Sequence, residues 1–519
     1  MKIISRLLIF LIASVSLYCG GFFQENLNTM REEHHLTYNP PLENAPPELV
    51  LATTLLGGFR GIIVDMLWLR AIELQQEGKF FELVQLHDWI CKMEPRLTQI
   101  WIYNAWNLAY NVSVECPTPE ERWNWVRAGI RLLRDQGIQY NRKAPKLYKE
   151  LGWIYYHKLG QVMDDFHLYY KSQFAAEMER ALGPELDLIA LEKAPDTREK
   201  LLSDPSVSAF IKELNAAGLD VFKKRIELMD EPELFSEEVR LLLESDRNAI
   251  VRKRLLSFFR RSRLIDKYKL DPGYMRMLME KFGPLDWRYP AAHNIYWNSK
   301  ALEIAQTVEE KRTIHYDRMV YYSIQQIYRQ GRVIKVDKGK YLFSQDHRFL
   351  NTMKEIYNKM LEKYGYPETI MTGRKNFLEE ALWILYLNGQ KQRARKYYAF
   401  LRNEYTSDRY RIPIDDFVFL LIKESMKELT RYKARQGVTG YLRQALWWLA
   451  AGEDDKSAGL EAVAKMIYNK WNTEYPSDRM RLPPFTRLVS DTKKQVRETF
   501  PPEMISRLIS RGILAEEIK

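Results

Sequence analysis

Residues 67–95 read LWLRAIELQQEGKFFELVQLHDWICKMEP. Apolar side chains recur at steps of three and four: Ala71, Leu74, then Phe80, Phe81, Leu83, Val84, Leu86, Trp89 and Ile90. That period belongs to helices rather than strands. Gly78 interrupts the first run and Pro95 closes the second, so the stretch predicts helix, tight turn, helix, stop.

The same period continues through most of the 519 residues. The 24 glycines and 22 prolines fall below average usage, which favours helices over a many-turned β protein. Hydrophobic residues at 46% and charged residues at 28% exclude disorder over most of the length. Three cysteines are too few for a disulfide scaffold or a cysteine-rich zinc module. Cys91 and Cys116 read as buried thiols ahead of a disulfide pair.

Outward from the first pair, Ala105 follows Ala71 by thirty-four residues, with Trp101 before it and Leu108 after it. The sharpest pattern is Tyr148-x-x-Leu151-Gly152-x-x-Tyr155. An aromatic, a small residue four later and an apolar residue three further on recur at Trp297/Ala301/Ile304, Phe377/Ala381/Ile384 and Tyr441/Ala445/Trp448, with Ala394 and Ala458 each thirteen beyond the small position of the last two. These residues resemble tetratricopeptide repeats, over about 66–178 most clearly and over 291–470 more loosely. The resemblance implies an all-α chain, a TPR-like α-solenoid of antiparallel helix pairs whose groove binds proteins. It implies packing roles for Ala71, Ala105, Tyr148, Leu151, Gly152, Tyr155, Ala301, Ala381 and Ala445, the small ones where a second helix crosses.

Residues 1–23, MKIISRLLIFLIASVSLYCGGFF, place Lys2 and Arg6 ahead of an apolar stretch. Residues 3–23 are long enough to span a hydrocarbon core. An uncleaved signal anchor, a single transmembrane helix, ranks ahead of a lipoprotein at Cys19 and of a cleaved signal. Tyr18 is too large for the residue before a lipidated cysteine, and bulky Phe22 and Phe23 suit a signal peptidase poorly. The leading cations keep the first residues cytoplasmic and send the body to the extracytoplasmic, periplasmic-type side. Residues 24–47 end in PPLENAPP, a stiff linker. The expected organisation is therefore anchor 1–23, linker 24–47, helical-repeat region 48–179, helical insert 180–288 and helical-repeat region 289–519. The insert is marked by repeated turn signals such as Asp204-Pro205, Asp271-Pro272 and Gly283-Pro284.

Net charge is +11, modest for a nucleic-acid binder. Basic residues cluster at 252–269, where Arg252, Arg254, Arg260, Arg261 and Arg263 alternate with apolar residues, and in the expected helix Asn124–Lys149, with Arg127, Arg131 and Arg134. These two stretches are the candidate partner surface. The first reads foremost as a packed helix whose cations meet the acidic run 230–246, with anionic lipid, phosphates or an acidic partner as alternatives.

No nucleotide-binding loop, nucleophile elbow, zinc-protease motif or Cys-x-x-Cys pair occurs. His157, Asp164, Asp165 and His167 are close in sequence, and helix capping explains the aspartates better than a metal does. His293, in an aromatic stretch, reads as a core histidine. Leu55–Asp65, with Gly57, Gly58 and Gly61, reads as a close-packing segment, with phosphate cradling or apposition to a membrane over 49–69 as alternatives. Together these observations predict a membrane-anchored, envelope-facing scaffold with protein partners and no cofactor, metal or catalytic residue. Lipid or nucleic-acid contact through 252–269 is the runner-up, and an enzyme with an unrecognised site comes last.

Overall fold

The computed structural model describes residues 59–515 except 338, 427–430, 478 and 479, with a few isolated positions before 59. The expected anchor and linker lie outside this range. No helix among the described residues is long and apolar enough to cross a membrane.

Contacts divide the chain into two units, one comprising residues 1–100 with 139–142, the other 101–138 with 143–519. The first holds α1 (Arg60–Gln76) and α2 (Phe80–Met93). Gly78 turns between them at φ +71°, a conformation that costs any residue with a Cβ. Val64, Ala71 and Leu74 on α1 and Leu83, Leu86 and Ile90 on α2 are buried, as the period predicts.

The second unit begins at Trp101, within α3 (Thr98–Trp106), and continues with α4 (Pro119–Arg131), α5 (Pro145–Trp153) and α6 (His167–Leu182). Next come α7 (Leu188–Lys193), α8 (Pro205–Ala216), α9 (Arg225–Asp230), α10 (Glu237–Glu244), α11 (Ala249–Arg263) and α12 (Pro272–Phe282). The Asp-Pro pairs of this stretch are helix starts. Asp204 and Asp271 accept backbone N–H groups of the first turn while the proline occupies the first helical position, where its missing N–H costs nothing. Leu201, Phe210, Leu214, Val239, Leu255 and Phe259 belong to one local core here.

The remaining helices are α13 (Pro290–Thr307), α14 (Ile314–Gln330), α15 (Phe349–Tyr364), α16 (Glu368–Leu387), α17 (Lys391–Glu404), α18 (Ile414–Met426), α19 (Arg431–Ala450), α20 (Asp454–Glu474), α21 (Phe485–Thr499) and α22 (Pro502–Ser510). Gly389 (φ +72°) and Gly452 (φ +86°) make the turns of the α16–α17 and α19–α20 pairs.

One feature departs from an all-helical expectation. Arg332–Asp337 (β1) and Lys340–Ser344 (β2) form an antiparallel hairpin. Its sequence, RVIKVDKGKYLFS, concentrates β-branched and aromatic residues around Gly339, a signal that the helical period elsewhere obscures. The hairpin is fastened by side chains. Arg288 and Arg507 donate to the Val333 and Val336 carbonyls, both at 2.9 Å. Lys456 on α20 donates to Ser344 Oγ at 3.0 Å and lies 3.3 Å from the centre of the Trp448 ring. Burial pushes this ammonium down to about 7.

The small positions are buried, and their partners are specific. A Cβ on Gly129 of α4 would lie 2.6 Å from the Ala105 carbonyl oxygen, so consecutive helices cross at Ala105. A Cβ on Gly152 would lie 2.3 Å from Asn298 Nδ2 and 2.4 Å from Asn294 Oδ1. The helix crossing at Gly152 is therefore α13, far along the chain, and not the next one. Tyr148, Leu151, Tyr155, Ala301, Ala381 and Ala445 are likewise buried. Ala458 is exposed, and Gly459 takes the crossing position instead.

Four segments are π-helical: Asn107–Val112, Leu132–Gly137, Ile154–Leu159 and Leu264–Tyr268. Such turns are rare and carry one extra residue. One of them, Leu132–Gly137, lies within the expected helix Asn124–Lys149, which runs on to Tyr140 and is broken at 141–144 before α5 begins at Pro145.

Candidate functional site

In the cluster 157–167 Asp164 is buried, His157 and His167 are half-buried and Asp165 is exposed. Lys158 and Asp164 form a salt bridge of 2.6 Å with side chains 5% and 6% exposed. Asp164 also accepts the Phe166 N–H at 2.9 Å, the local capping role its sequence position suggests. Burial works against the Asp164 carboxylate, yet Lys158 and Phe166 hold its pKa below the ordinary value. Burial likewise pulls Lys158 down, against the pull of Asp164. His157 stacks on Trp153 at 4.8 Å and meets Tyr110 Oη at 3.2 Å. His167 Nδ1 is 3.2 Å from Nζ of buried Lys171. Among the described residues no group of three His, Cys, Asp or Glu is placed to hold a metal ion. His293 is a core histidine, 1% exposed, with Nε2 at 2.8 Å from the Trp287 carbonyl and its pKa lowered by burial to about 4. Cys91 and Cys116 are free thiols.

The basic stretches behave differently from one another. Arg134 is 7% exposed and paired with Asp135 at 2.7 and 2.8 Å, so it offers nothing to a partner. It lies within the π turn Leu132–Gly137. Arg131 stays exposed. Within 252–269 most cations are engaged. Lys253 pairs with Glu185 and Asp187, each at 2.9 Å, and Arg254 pairs with Asp204 at 2.6 Å. Arg261 donates to the Leu191 and Glu192 carbonyls at the end of α7, the helix terminus that favours a cation. Arg260 lies against Gly183, where a Cβ would come within 2.5 Å of the guanidinium. Arg252 is half-buried. Of the acidic run 230–246, Asp230 supplies an ion pair, to Arg263 at 2.7 Å; the other acids that meet this run come from 185–204.

Arg263 and Arg127 converge. They line one cavity of about 610 Å³ between α4, α6, α9, α11 and the π turn Leu264–Tyr268. Arg127 pairs with Glu177 at 2.8 Å. Four further cations, Arg180, Arg198, Arg225 and Lys267, line the same cavity and form no ion pair among the described residues. Two carry aromatic contacts, Arg198 at 3.9 Å from the Phe222 ring centre and Lys267 at 5.1 Å from that of Tyr268. Burial lowers the Lys267 pKa; Glu177 opposes this, while Arg263, Arg127 and Arg134 add to it. The floor is apolar, with Phe258, Phe259, Ile226 and Met229. Concentrated positive charge over an apolar floor attracts a ligand that is both acidic and greasy. A neighbouring apolar groove of about 530 Å³ includes Lys253 and Arg254 in its lining, but those charges are already neutralised.

Arg180, Arg198 and Arg225 carry no motif. They are isolated in sequence and meet only because α6, the turn Arg198–Leu202 and α9 surround α11. No protein-family model, curated protein or solved structure matches the chain.

Proposed function

We propose that this chain is a membrane-anchored helical scaffold that holds an acidic, partly apolar segment of a partner protein in the basic cavity. The observation that carries this reading is a surplus of cations in the cavity lining: among the described residues Arg180, Arg198, Arg225 and Lys267 form no ion pair, against one carboxylate without one, Asp266, above an aromatic and aliphatic floor. Helix pairs of the tetratricopeptide kind supply the frame, a reading supported by the Ala105–Gly129 crossing and the glycine turns at 78, 389 and 452. The internal neutralisation of Lys253 and Arg254 argues against residues 252–269 as a separate phosphate-gripping surface.

The test uses the full chain in detergent and a fluorescent peptide rich in Glu and Leu. Arg225→Glu with Lys267→Glu is expected to weaken binding by about tenfold or more, since each tenfold is only about 1.4 kcal/mol. A matching peptide with Lys for Glu should not bind. Equal affinity of the wild type and the charge-reversed variant would overturn the assignment. Binding of anionic vesicles in preference to the peptide, abolished by moderate salt, would favour the lipid alternative.

Residues 3–23 supply the anchor in this reading, and the flanking charges place the body outside the cytoplasm. A reporter active only in an oxidising compartment, fused after Lys519, should therefore be active. Activity of a cytoplasm-specific reporter at the same place would reverse the orientation.

A further inference from the structure

α1 is apolar on two sides. Val64, Ala71 and Leu74 face the α1–α2 core. Ile62, Met66 and Leu69 are 54%, 65% and 64% exposed, and Phe59, one residue ahead of the helix, is 74% exposed. Spacings of three and four put these residues on one stripe, about 10 Å long from Ile62 to Leu69 at 1.5 Å per residue. An amphipathic surface helix shows solvent a polar face. A row of large exposed apolar residues marks a contact surface.

The polarity changes along the helix. Arg70 and Glu73 pair at 2.9 Å near its far end, and Gln75, Gln76 and Glu77 follow. The end nearest the amino terminus presents the larger apolar surface, with exposed Asp65 beside Met66 at the edge of the stripe. Upstream of it, residues 49–59 (LVLATTLLGGF) carry no charge, and the linker 24–47 joins them to the apolar segment 3–23. At roughly 3.1 Å per residue, the linker spans about 75 Å and residues 48–59 add about 37 Å, so the start of α1 is tethered within reach of whatever holds the first residues.

We infer that the Phe59–Ile62–Met66–Leu69 stripe is a bilayer-contact surface that lies in the interfacial layer of the membrane. The inference rests on the anchor reading of residues 3–23. The stripe enters the acyl boundary, with exposed Asp65 at its edge held at headgroup level, and the charged end from Arg70 onward stays in water. Burying these side chains against lipid removes their apolar area from water, the term that drives interfacial binding. The contact orients α1 on the membrane, where a tether alone would leave its orientation free.

Photocrosslinking on the full chain in phosphatidylcholine–phosphatidylglycerol vesicles tests this. p-Benzoylphenylalanine is placed singly at the positions of Met66, Leu69 and, as control, Gln76. Illumination should add the mass of one phospholipid at the first two positions and not at the third. Equal lipid adducts at all three would mean that the tether merely brings α1 near the bilayer, and would overturn the inference. A crosslink from position 66 to residues 49–58 of the same chain would show that segment covering the stripe. A crosslinked dimer would show a second copy there. Either overturns the inference. Chain that floats with vesicles but yields no lipid adduct sinks this inference and leaves the anchor standing. Chain that does not float sinks both.

Discussion

Gly459→Ala is expected to destabilise the fold by about 3 kcal/mol, the upper end of what overpacking a close contact costs. Its new methyl group would sit 2.2 Å from the Leu387 carbonyl oxygen and 2.3 Å from the Gly389 backbone nitrogen. Both obstacles are main chain, so no rotamer can relieve the clash. α20 would have to back away from the end of α16, and Gly389 holds that turn at φ +72°. The gain in helix propensity from Gly to Ala, about 0.5–1 kcal/mol, is too small to compensate. Gly440→Ala is the matched control. It also lies within a long helix, α19, but its Cβ would meet nothing within 4 Å. That variant should be slightly more stable than the wild type. Denaturant melts followed by circular dichroism separate the two; equal midpoints would refute the close crossing of α16 and α20.

The second large effect belongs to the buried ion pair. Lys158→Met leaves the Asp164 carboxylate, 6% exposed, without its ammonium. Removing one partner of a buried pair costs about 3–5 kcal/mol, because the remaining charge stays desolvated. Lys158→Met with Asp164→Leu should recover most of that loss, since a buried pair offsets little more than its own desolvation. A double variant no better than the single would show that the two charges do not act on each other.

The pair also predicts an acid response. The Asp164 pKa is held below its ordinary 3.8, so in the pH range between the two values the unfolded chain binds more protons than the folded one. Its stabilisation is complete above the ordinary carboxylate value and disappears as pH falls through the lowered one. The wild type should therefore lose stability relative to the double variant, which lacks this carboxylate, as pH falls below the ordinary carboxylate value. A stability difference between the two that stays constant from neutral to strongly acid pH would contradict the assignment.

Local signals were largely legible. Glycine after α1, proline at the first turn of α8 and α12, and the three–four period of α1 and α2 act within a few residues. Chain geometry enforces them wherever the segment sits. Ala105 met Gly129 for the same reason: a short connection leaves consecutive helices few ways to pack.

Other features depended on the whole fold. Gly152 sits in the sharpest repeat motif, yet Asn294 and Asn298 of α13 come against it, and nothing near Gly152 names them. Each π turn rotates the downstream part of its helix by the roughly 100° of one extra helical residue. Arg134, read as surface from the sequence, is buried and paired with Asp135.

The basic cavity shows the same division. Charge along 252–269 was visible in the sequence, but pairing decides which cations remain available, and their partners lie at 185–204 and 230. Arg180, Arg198 and Arg225 carry no signal of their own. Helicity, turns and the anchor-like first segment are properties of short stretches, and the sequence alone determined them as structure or expectation. Which helix crosses which, and which charges remain unpaired, are set by long-range contacts between side chains distant in sequence. Those the tertiary structure alone decided.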